Sequence, residues 1–167
     1  MSTHFVYLVR HGLAAEQGPE FPNDDDRPLT SEGVQRMRVQ VLGLRALDVR
    51  LDRVLTSPLV RAAQTAEILA AGLGCAAPLV TVDALRPGGR YDALLAALAR
   101  LGHERSIALV GHMPSIGEVA ARLTGAQVPF AFKKGATCCI ELDALPPAGV
   151  GQLRWFVPPR ALRALGD

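Results

Sequence analysis

Short apolar runs alternate with amphipathic segments along most of the chain. The run 5–10 is apolar and β-branched without polar alternation, as expected of a strand buried on both faces of a sheet. Strands are predicted at 5–10, 53–56, 79–82 and 106–110, and helices after Thr30 and at about 58–71, 91–101 and 114–123. Repeated alternation of strand and helix predicts an α/β fold.

The last part of the chain breaks this alternation. Two apolar runs, 137–142 and 152–157, flank a turn rich in proline and glycine, which predicts an antiparallel hairpin at one edge. The predicted architecture is a three-layer α/β sandwich. It has helices on both faces of a mixed, mostly parallel central sheet and ends in the antiparallel hairpin. The stretch 16–27 and the tail after Pro158 are predicted to be loosely structured.

The composition fits a single domain over residues 1–167, because 49% of the residues are hydrophobic and 20% are charged. A net charge of +2 provides no overall field toward nucleic acid or an anionic membrane, so we expect neither as a partner. Arg10 and His11 stop the first apolar run short of a signal-peptide core. Three cysteines are too few for a disulfide framework, and we expect a cytoplasmic protein with reduced thiols. No pattern indicates an oligomeric state.

Two of the four histidines follow directly after predicted strands. His11 ends the run 5–10, and His112 comes just after the run 106–110. In open α/β sheets the ligand crevice lies outside the carboxyl ends of the strands, so both imidazoles should enter one crevice if the strands are neighbours. His4 and His103 stand in polar flanks and are predicted to be solvated.

Two arginines accompany these histidines. Arg10 precedes His11, and Arg61 falls in the first turn of the helix after the second strand. Their guanidinium forks match phosphate oxygens, and Pro58 and Pro114 place helix N-termini at the same edge. The predicted site binds an anion without a metal or cofactor, because two arginines repel a divalent ion and no carboxylate–histidine cluster has ligand spacing.

These side chains suit phosphoryl transfer, which needs an in-line nucleophile and stabilisation of charge on the equatorial oxygens. An imidazole whose ordinary pKa is about 6.5 can be neutral and nucleophilic when a carbonyl holds its other N–H, and we assign that role to His11. His112 is then expected to donate to the transferred oxygens. Asp24, Asp25 and Asp26 form the one acidic cluster, mostly a solvated loop from which Asp24 can reach the site as an acid.

Taken together, these residues resemble the histidine phosphatase superfamily, also called phosphoglycerate mutase-like. The resemblance is carried, in order, by Arg10-His11-Gly12; Arg27-Pro28-Leu29-Thr30 with Gly33; Ser57-Pro58 with Arg61-Ala62 and Gln64-Thr65-Ala66; and Gly111-His112 with Pro114. The short chain and the segment 85–89 look most like the bacterial phosphohistidine phosphatase branch, which acts on phosphohistidine in signalling or carrier proteins. The resemblance implies a phosphohistidine at His11, with Arg10, Arg61 and His112 completing the phosphate pocket.

The chain departs from larger relatives where these carry an acid after the third strand to protonate the leaving oxygen. The sequence there is Val82-Asp83-Ala84-Leu85, so the acid is missing or is supplied by Asp83 or Asp24. A missing acid favours an imidazole leaving group, whereas an acid at Asp24 leaves phosphomonoesters open. The expected partner is therefore a phosphorylated protein or a small phosphorylated substrate. A mutase, a non-catalytic phosphate- or phosphoprotein-binding module and a metal-dependent hydrolase remain as alternatives.

Basic residues late in the chain have two interpretations. They are Lys133, Lys134, Arg154, Arg160 and Arg163. The simpler interpretation is solvated surface, and the alternative is a docking surface for an acidic protein.

Overall fold

The computed structural model describes residues 2–167 and contains a six-stranded sheet flanked by helices. The strands are β1 (His4–Arg10), β2 (Arg53–Thr56), β3 (Val80–Thr81), β4 (Ser106–Gly111), β5 (Thr137–Leu142) and β6 (Gln152–Val157). The helices are α1 (Ser31–Ala46), α2 (Val60–Gly72), α3 (Tyr91–Leu98), α4 (Ser115–Thr124) and α5 (Pro159–Gly166). The sheet order is β3-β2-β4-β1-β5-β6. Strands β3, β2, β4 and β1 pair in parallel, whereas β5 and β6 are antiparallel, which confirms the predicted mixed sheet.

Strand β1 shows why its sequence lacks polar alternation. Val6 and Leu8 pack into a core with α3 and α4, and Tyr7 and Val9 pack into a second core with α1, α2 and α5. Each face of β1 is therefore covered by helices, and burial on both sides removes the need for polar positions. The two cores confirm the three-layer arrangement.

Two boundaries differ from the prediction. Helix α2 begins at Val60 with Leu59 as its N-cap, so Ser57 does not cap it and Pro58 is not its first residue. Instead, the Ser57 hydroxyl accepts a hydrogen bond from the Leu59 N–H at 3.2 Å, in the turn before the helix. The tail was wrongly predicted to be loose, because α5 forms there and Leu162 is fully buried against the second core.

The prediction for His4 is also wrong. His4 is buried, and its Nδ1 lies 2.8 Å from the backbone carbonyl oxygen of Glu104. A carbonyl about one hundred residues away replaces the water that a solvated imidazole would bind. His103 is exposed, as predicted.

Candidate active site

The topology brings the two strand-end histidines together. Strands β1 and β4 are adjacent and parallel, with Arg10 opposite Gly111, so His11 and His112 follow at the same level of the sheet edge. Their ring centroids lie 5.1 Å apart, with the ring planes inclined by 52°. Both imidazoles are buried. The expectation that they share one crevice is met by this geometry.

A backbone carbonyl fixes the tautomer of His11. Its Nδ1 lies 2.7 Å from the carbonyl oxygen of Gly12, which can only accept, so Nδ1 carries the proton and Nε2 keeps its lone pair. The Gly12 N–H donates in turn to Thr65 Oγ1 at 3.1 Å, which ties this turn to α2. Burial, followed by the nearby His112, lowers the pKa of His11 to about 3 against the opposing effect of the Gly12 bond. His11 is therefore a neutral imidazole near pH 7, as a nitrogen nucleophile must be.

His112 is held by a hydroxyl. Its Nε2 lies 2.8 Å from Ser57 Oγ, an oxygen that also accepts from the Leu59 N–H and can either donate its own proton to Nε2 or accept one from it. Nδ1 is buried without a partner among the described residues, and it carries the ring hydrogen in the tautomer to which Ser57 donates. Burial, followed by the charge of Arg61, lowers the pKa of His112 to about 4. His112 is thus a neutral imidazole near pH 7 rather than an imidazolium, and its Nδ1–H is a donor when Ser57 donates to Nε2.

The two arginines are anchored through terminal nitrogens of their guanidinium groups, one nitrogen in Arg10 and both in Arg61. Arg10 donates from one terminal nitrogen to the carbonyl oxygen of Phe132 at 2.8 Å. Arg61, only 4% exposed, donates to the carbonyl oxygen of Asp24 at 2.7 Å. The Nε atoms of both arginines are buried and have no partner among residues 2–167. The anchors hold each fork in place, and each Nε–H is still available to an anion.

Asp24 reaches the site, as the sequence suggested. It lies in a short 3₁₀ turn, where its carboxylate accepts from Arg61 at 3.1 Å and from Arg27 at 2.9 Å. Partial burial alone would raise the pKa of Asp24, but hydrogen bonds from Arg27 and Arg61 outweigh it and lower the pKa. Asp24 is therefore ionised near neutral pH. Asp25 pairs instead with Arg86 at 3.0 Å.

Asp83, the other candidate acid, lies elsewhere. Its side chain is 90% exposed and faces Arg86 at 3.5 Å. It lines a separate groove near α3 rather than the cleft that holds the histidines. Asp83 is thus excluded from the site by position.

All five sequence-predicted site residues line one cleft. The cleft is formed by Arg10, His11, Ala14, Asp24, Arg27, Arg61, Pro87, His112, Met113 and Lys134. The cleft therefore combines the neutral His11, whose Nε2 has a free lone pair, with a second imidazole, His112, and three arginines. This arrangement can bind a tetrahedral oxyanion and attack it with nitrogen.

Comparisons with known proteins agree with this chemistry. Residues 6–87 match the family model described as histidine phosphatase superfamily (branch 1). Phosphohistidine phosphatase SixA of Escherichia coli K12 is 31% identical over 160 residues, which are 95% of this chain and 96% of that protein. The chain belongs to the histidine phosphatase superfamily. It is a phosphatase that uses a histidine nucleophile, and its similarity to SixA places it in the short bacterial branch.

Two further comparisons extend the likeness. A solved structure of the protein histidine phosphatase SixA complexed with tungstate superimposes with a TM-score of 0.84 at 30% identity. The match covers 95% of this chain and 99% of that one. An uncharacterized protein from Picosynechococcus is 40% identical over 124 residues, which are 73% of this chain and 74% of that protein. The fold predicted for this histidine phosphatase is thereby confirmed.

Sequence reasoning missed three contributors to this histidine phosphatase site. Arg27 appeared only as part of a helix-start motif, yet it binds Asp24 and donates to the carbonyl oxygen of Ala15 at 2.8 Å. Ser57 was interpreted as a helix cap, although its hydroxyl holds His112. Lys134 is exposed as predicted, but it also lines the cleft. The three-residue spacing between Asp24 and Arg27 suits a local ion pair, and it is the sequence signal that could have revealed the role of Arg27.

Within residues 2–167, no three histidine, cysteine, aspartate or glutamate side chains are grouped so that they could hold a metal ion. Over the same residues, no helix combines the length and apolar character needed to span a membrane.

Proposed function

We propose that this phosphatase hydrolyses phosphohistidine in proteins, with His11 as the nucleophile. The observation that carries the proposal is that three of the four buried side-chain nitrogens without a protein partner among residues 2–167 belong to cleft residues: Nε of Arg10, Nε of Arg61 and Nδ1 of His112. Leaving buried donors unpaired costs about 1–3 kcal/mol each, so their grouping around one nucleophile indicates an oxyanion ligand. The tungstate complex of SixA supports this, because tungstate is a tetrahedral oxyanion.

The reaction we propose has two displacements. The lone pair of His11 Nε2 attacks phosphorus in line, the bond from phosphorus to the substrate imidazole breaks, and its electron pair stays on the leaving nitrogen. A proton on the other ring nitrogen of the substrate makes that leaving group a neutral imidazole. Water then attacks the phosphoryl group on His11, the N–P bond breaks, and inorganic phosphate takes up the water proton. Arg10, Arg61 and His112 bind the equatorial oxygens in both steps.

The leaving group is the reason for preferring phosphohistidine to a phosphomonoester. An alkoxide leaves readily only with a proton donor, and general acid catalysis is typically worth about 10²- to 10⁴-fold. The carboxylate at the cleft, Asp24, has a lowered pKa and carries no proton near neutral pH. An imidazole needs no such acid. The name of the SixA relative is consistent with this preference.

We also propose that the reaction needs no metal ion. The cleft holds three arginines and a lysine, and its one carboxylate is already bound by Arg27 and Arg61. A divalent cation would have to displace both arginines from Asp24 and would then meet their repulsion. The cytoplasmic location and the phosphoprotein partner likewise remain predictions.

The test compares a phosphohistidine peptide with a phosphoserine peptide of the same sequence, both in chelator, by kcat/KM. The variants are His11→Asn and, as a matched control, His103→Asn at the exposed histidine. We expect the parent protein and the control to prefer the phosphohistidine peptide by at least about 10²-fold, and His11→Asn to be inactive on both substrates. If kcat/KM for the phosphoester equals or exceeds that for the phosphohistidine peptide, the proposed substrate is wrong and a phosphomonoester takes its place. Activity that disappears in chelator would refute metal independence.

A further inference from the structure

A second groove opens beside the cleft and is strongly basic. Its lining contains six cationic side chains and no carboxylate: Arg10, Arg36, Lys133, Lys134, Arg160 and Arg163. We call this surface the basic groove. The whole chain has a net charge of only +2, so the positive charge is concentrated here rather than spread over the molecule.

Few of these charges are neutralised by the protein itself. Of the six cations, only Arg36 has an ion-pair partner within residues 2–167, namely Glu32, one turn earlier on the exposed face of α1. Such surface pairs contribute little. Arg163 donates to the side-chain oxygen of Gln40 at 3.0 Å, which orients the guanidinium without neutralising it. The groove therefore presents at least five uncompensated cations.

Close helix packing creates the groove. Helices α1 and α5 approach so closely that a Cβ atom at Gly43 would lie 2.0 Å from the backbone carbonyl oxygen of Leu162. This contact carries Arg160 and Arg163 of α5 to the side of α1 that holds Arg36. The groove is thus set by the fold and does not depend on a flexible tail.

The basic groove and the cleft are continuous. Arg10 and Lys134 line both of them, and Gly12, whose carbonyl orients His11, lines the groove. A chain lying in the groove would therefore lead directly to the nucleophile. The field of the groove would also raise the rate at which an acidic partner meets the site.

We infer that the basic groove docks an acidic segment of the phosphoprotein whose phosphohistidine enters the cleft, an inference that rests on the proposed function. Alongside its cations the groove has apolar walls from Leu13, Met37 and Pro159 and no aromatic side chain. Proteins that bind single-stranded nucleic acid stack the bases on aromatic side chains, and the lining of the groove has no aromatic side chain. Acidic and aliphatic side chains of a polypeptide match both features of the lining.

The test measures binding separately from turnover. The probe is a fluorescein-labelled acidic peptide with an unphosphorylated histidine, and its twin carries Asn and Gln in place of Asp and Glu. The proteins are the parent, the double variant Lys133→Ala/Arg160→Ala, and a charge-matched control, Arg38→Ala/Arg100→Ala, at exposed arginines outside the groove. Fluorescence anisotropy gives the Kd, and the phosphorylated forms of both peptides give kcat/KM.

We expect the groove variant to weaken binding of the acidic peptide about tenfold and to lower its kcat/KM equally, since exposed charge pairs contribute modestly each. For the control variant, Kd and kcat/KM with the acidic peptide should stay within about twofold of the parent values. For the groove variant, binding of the neutral twin and turnover of para-nitrophenyl phosphate should also change less than about twofold. An equal loss of affinity for the acidic peptide in the control variant, or no loss of affinity in the groove variant, overturns the inference. Tight binding of labelled single-stranded DNA that the groove variant abolishes overturns it in favour of nucleic acid. Absence of phosphohistidine turnover by the parent protein refutes the proposed function instead, and the anisotropy result still decides the groove.

Discussion

Burying two neutral imidazoles makes the folded protein sensitive to acid. Burial is the main cause that lowers the pKa of His11 to about 3 and that of His112 to about 4. In the unfolded chain both side chains titrate at about 6.5. Below about pH 6.5 the unfolded chain therefore binds two protons that the folded protein does not, and the free energy of unfolding falls as the pH falls toward the folded-state values.

The size of this effect follows from the unfolded-state pKa alone, provided that both folded-state values lie below the assay pH. At about pH 5, protonation of one imidazole stabilises the unfolded chain by about 2 kcal/mol, so the two together contribute about 4 kcal/mol relative to neutral pH. The total stability of a domain is about 5–15 kcal/mol, so a loss of this size is readily measured.

The assay is urea unfolding at about pH 7.5 and about pH 5, followed by the fluorescence of the single tryptophan, Trp155. His11→Gln and His112→Gln should each remove about 2 kcal/mol of the acid-induced loss, because Gln cannot titrate. His103→Gln, at an exposed imidazole, is the control and should behave like the parent protein. If both buried-site variants lose as much stability as the parent between the two pH values, the imidazoles are not held neutral and the reasoning fails.

Three further predictions concern single side chains. Asp24→Asn should leave kcat on a phosphohistidine peptide within about threefold, whereas a loss of about 10²-fold would contradict a reaction that needs no acid at Asp24. Ser57→Ala should lower kcat about tenfold with a smaller change in KM, because Nε2 of His112 loses its partner, and an unchanged kcat would contradict this role. Gly43→Ala should destabilise the protein by about 1–3 kcal/mol in urea, because its Cβ would meet a backbone oxygen of α5. Its control is Gly102→Ala, where a Cβ meets nothing within 4 Å, and equal stability of the two variants would contradict the packing argument.

The sequence was sufficient for the features that depend on local pattern. The run 5–10 is buried on both faces and therefore reads as a continuous apolar strand. Because β1 and β4 are parallel neighbours, the residues that follow them, His11 and His112, meet at one edge. Arg61 follows for the same reason, since α2 starts at the edge where β2 ends. The topology of parallel strands thus converts positions in the sequence into one site.

Other features depend on contacts that no local pattern reveals. Helix α5 has an ordinary helical composition, but it is held in place by Leu162, which the second core buries. The Ser57 hydroxyl could cap a helix equally well, and it is the distant His112 that engages it. The carboxylate of Asp24 could also have faced solvent in its acidic loop, and it is fixed by Arg61, 37 residues away. The basic groove likewise arises only when α1 and α5 pack together.

The central claim is that phosphoryl transfer passes through Nε2 of His11. The most direct measurement incubates the protein with a phosphohistidine peptide labelled in its phosphoryl group, quenches it in alkali and locates the label by peptide mapping. We predict that the label lies on His11 in the parent protein and in His103→Asn, and that His11→Asn carries none. Label on another residue, or turnover by His11→Asn, would contradict the account.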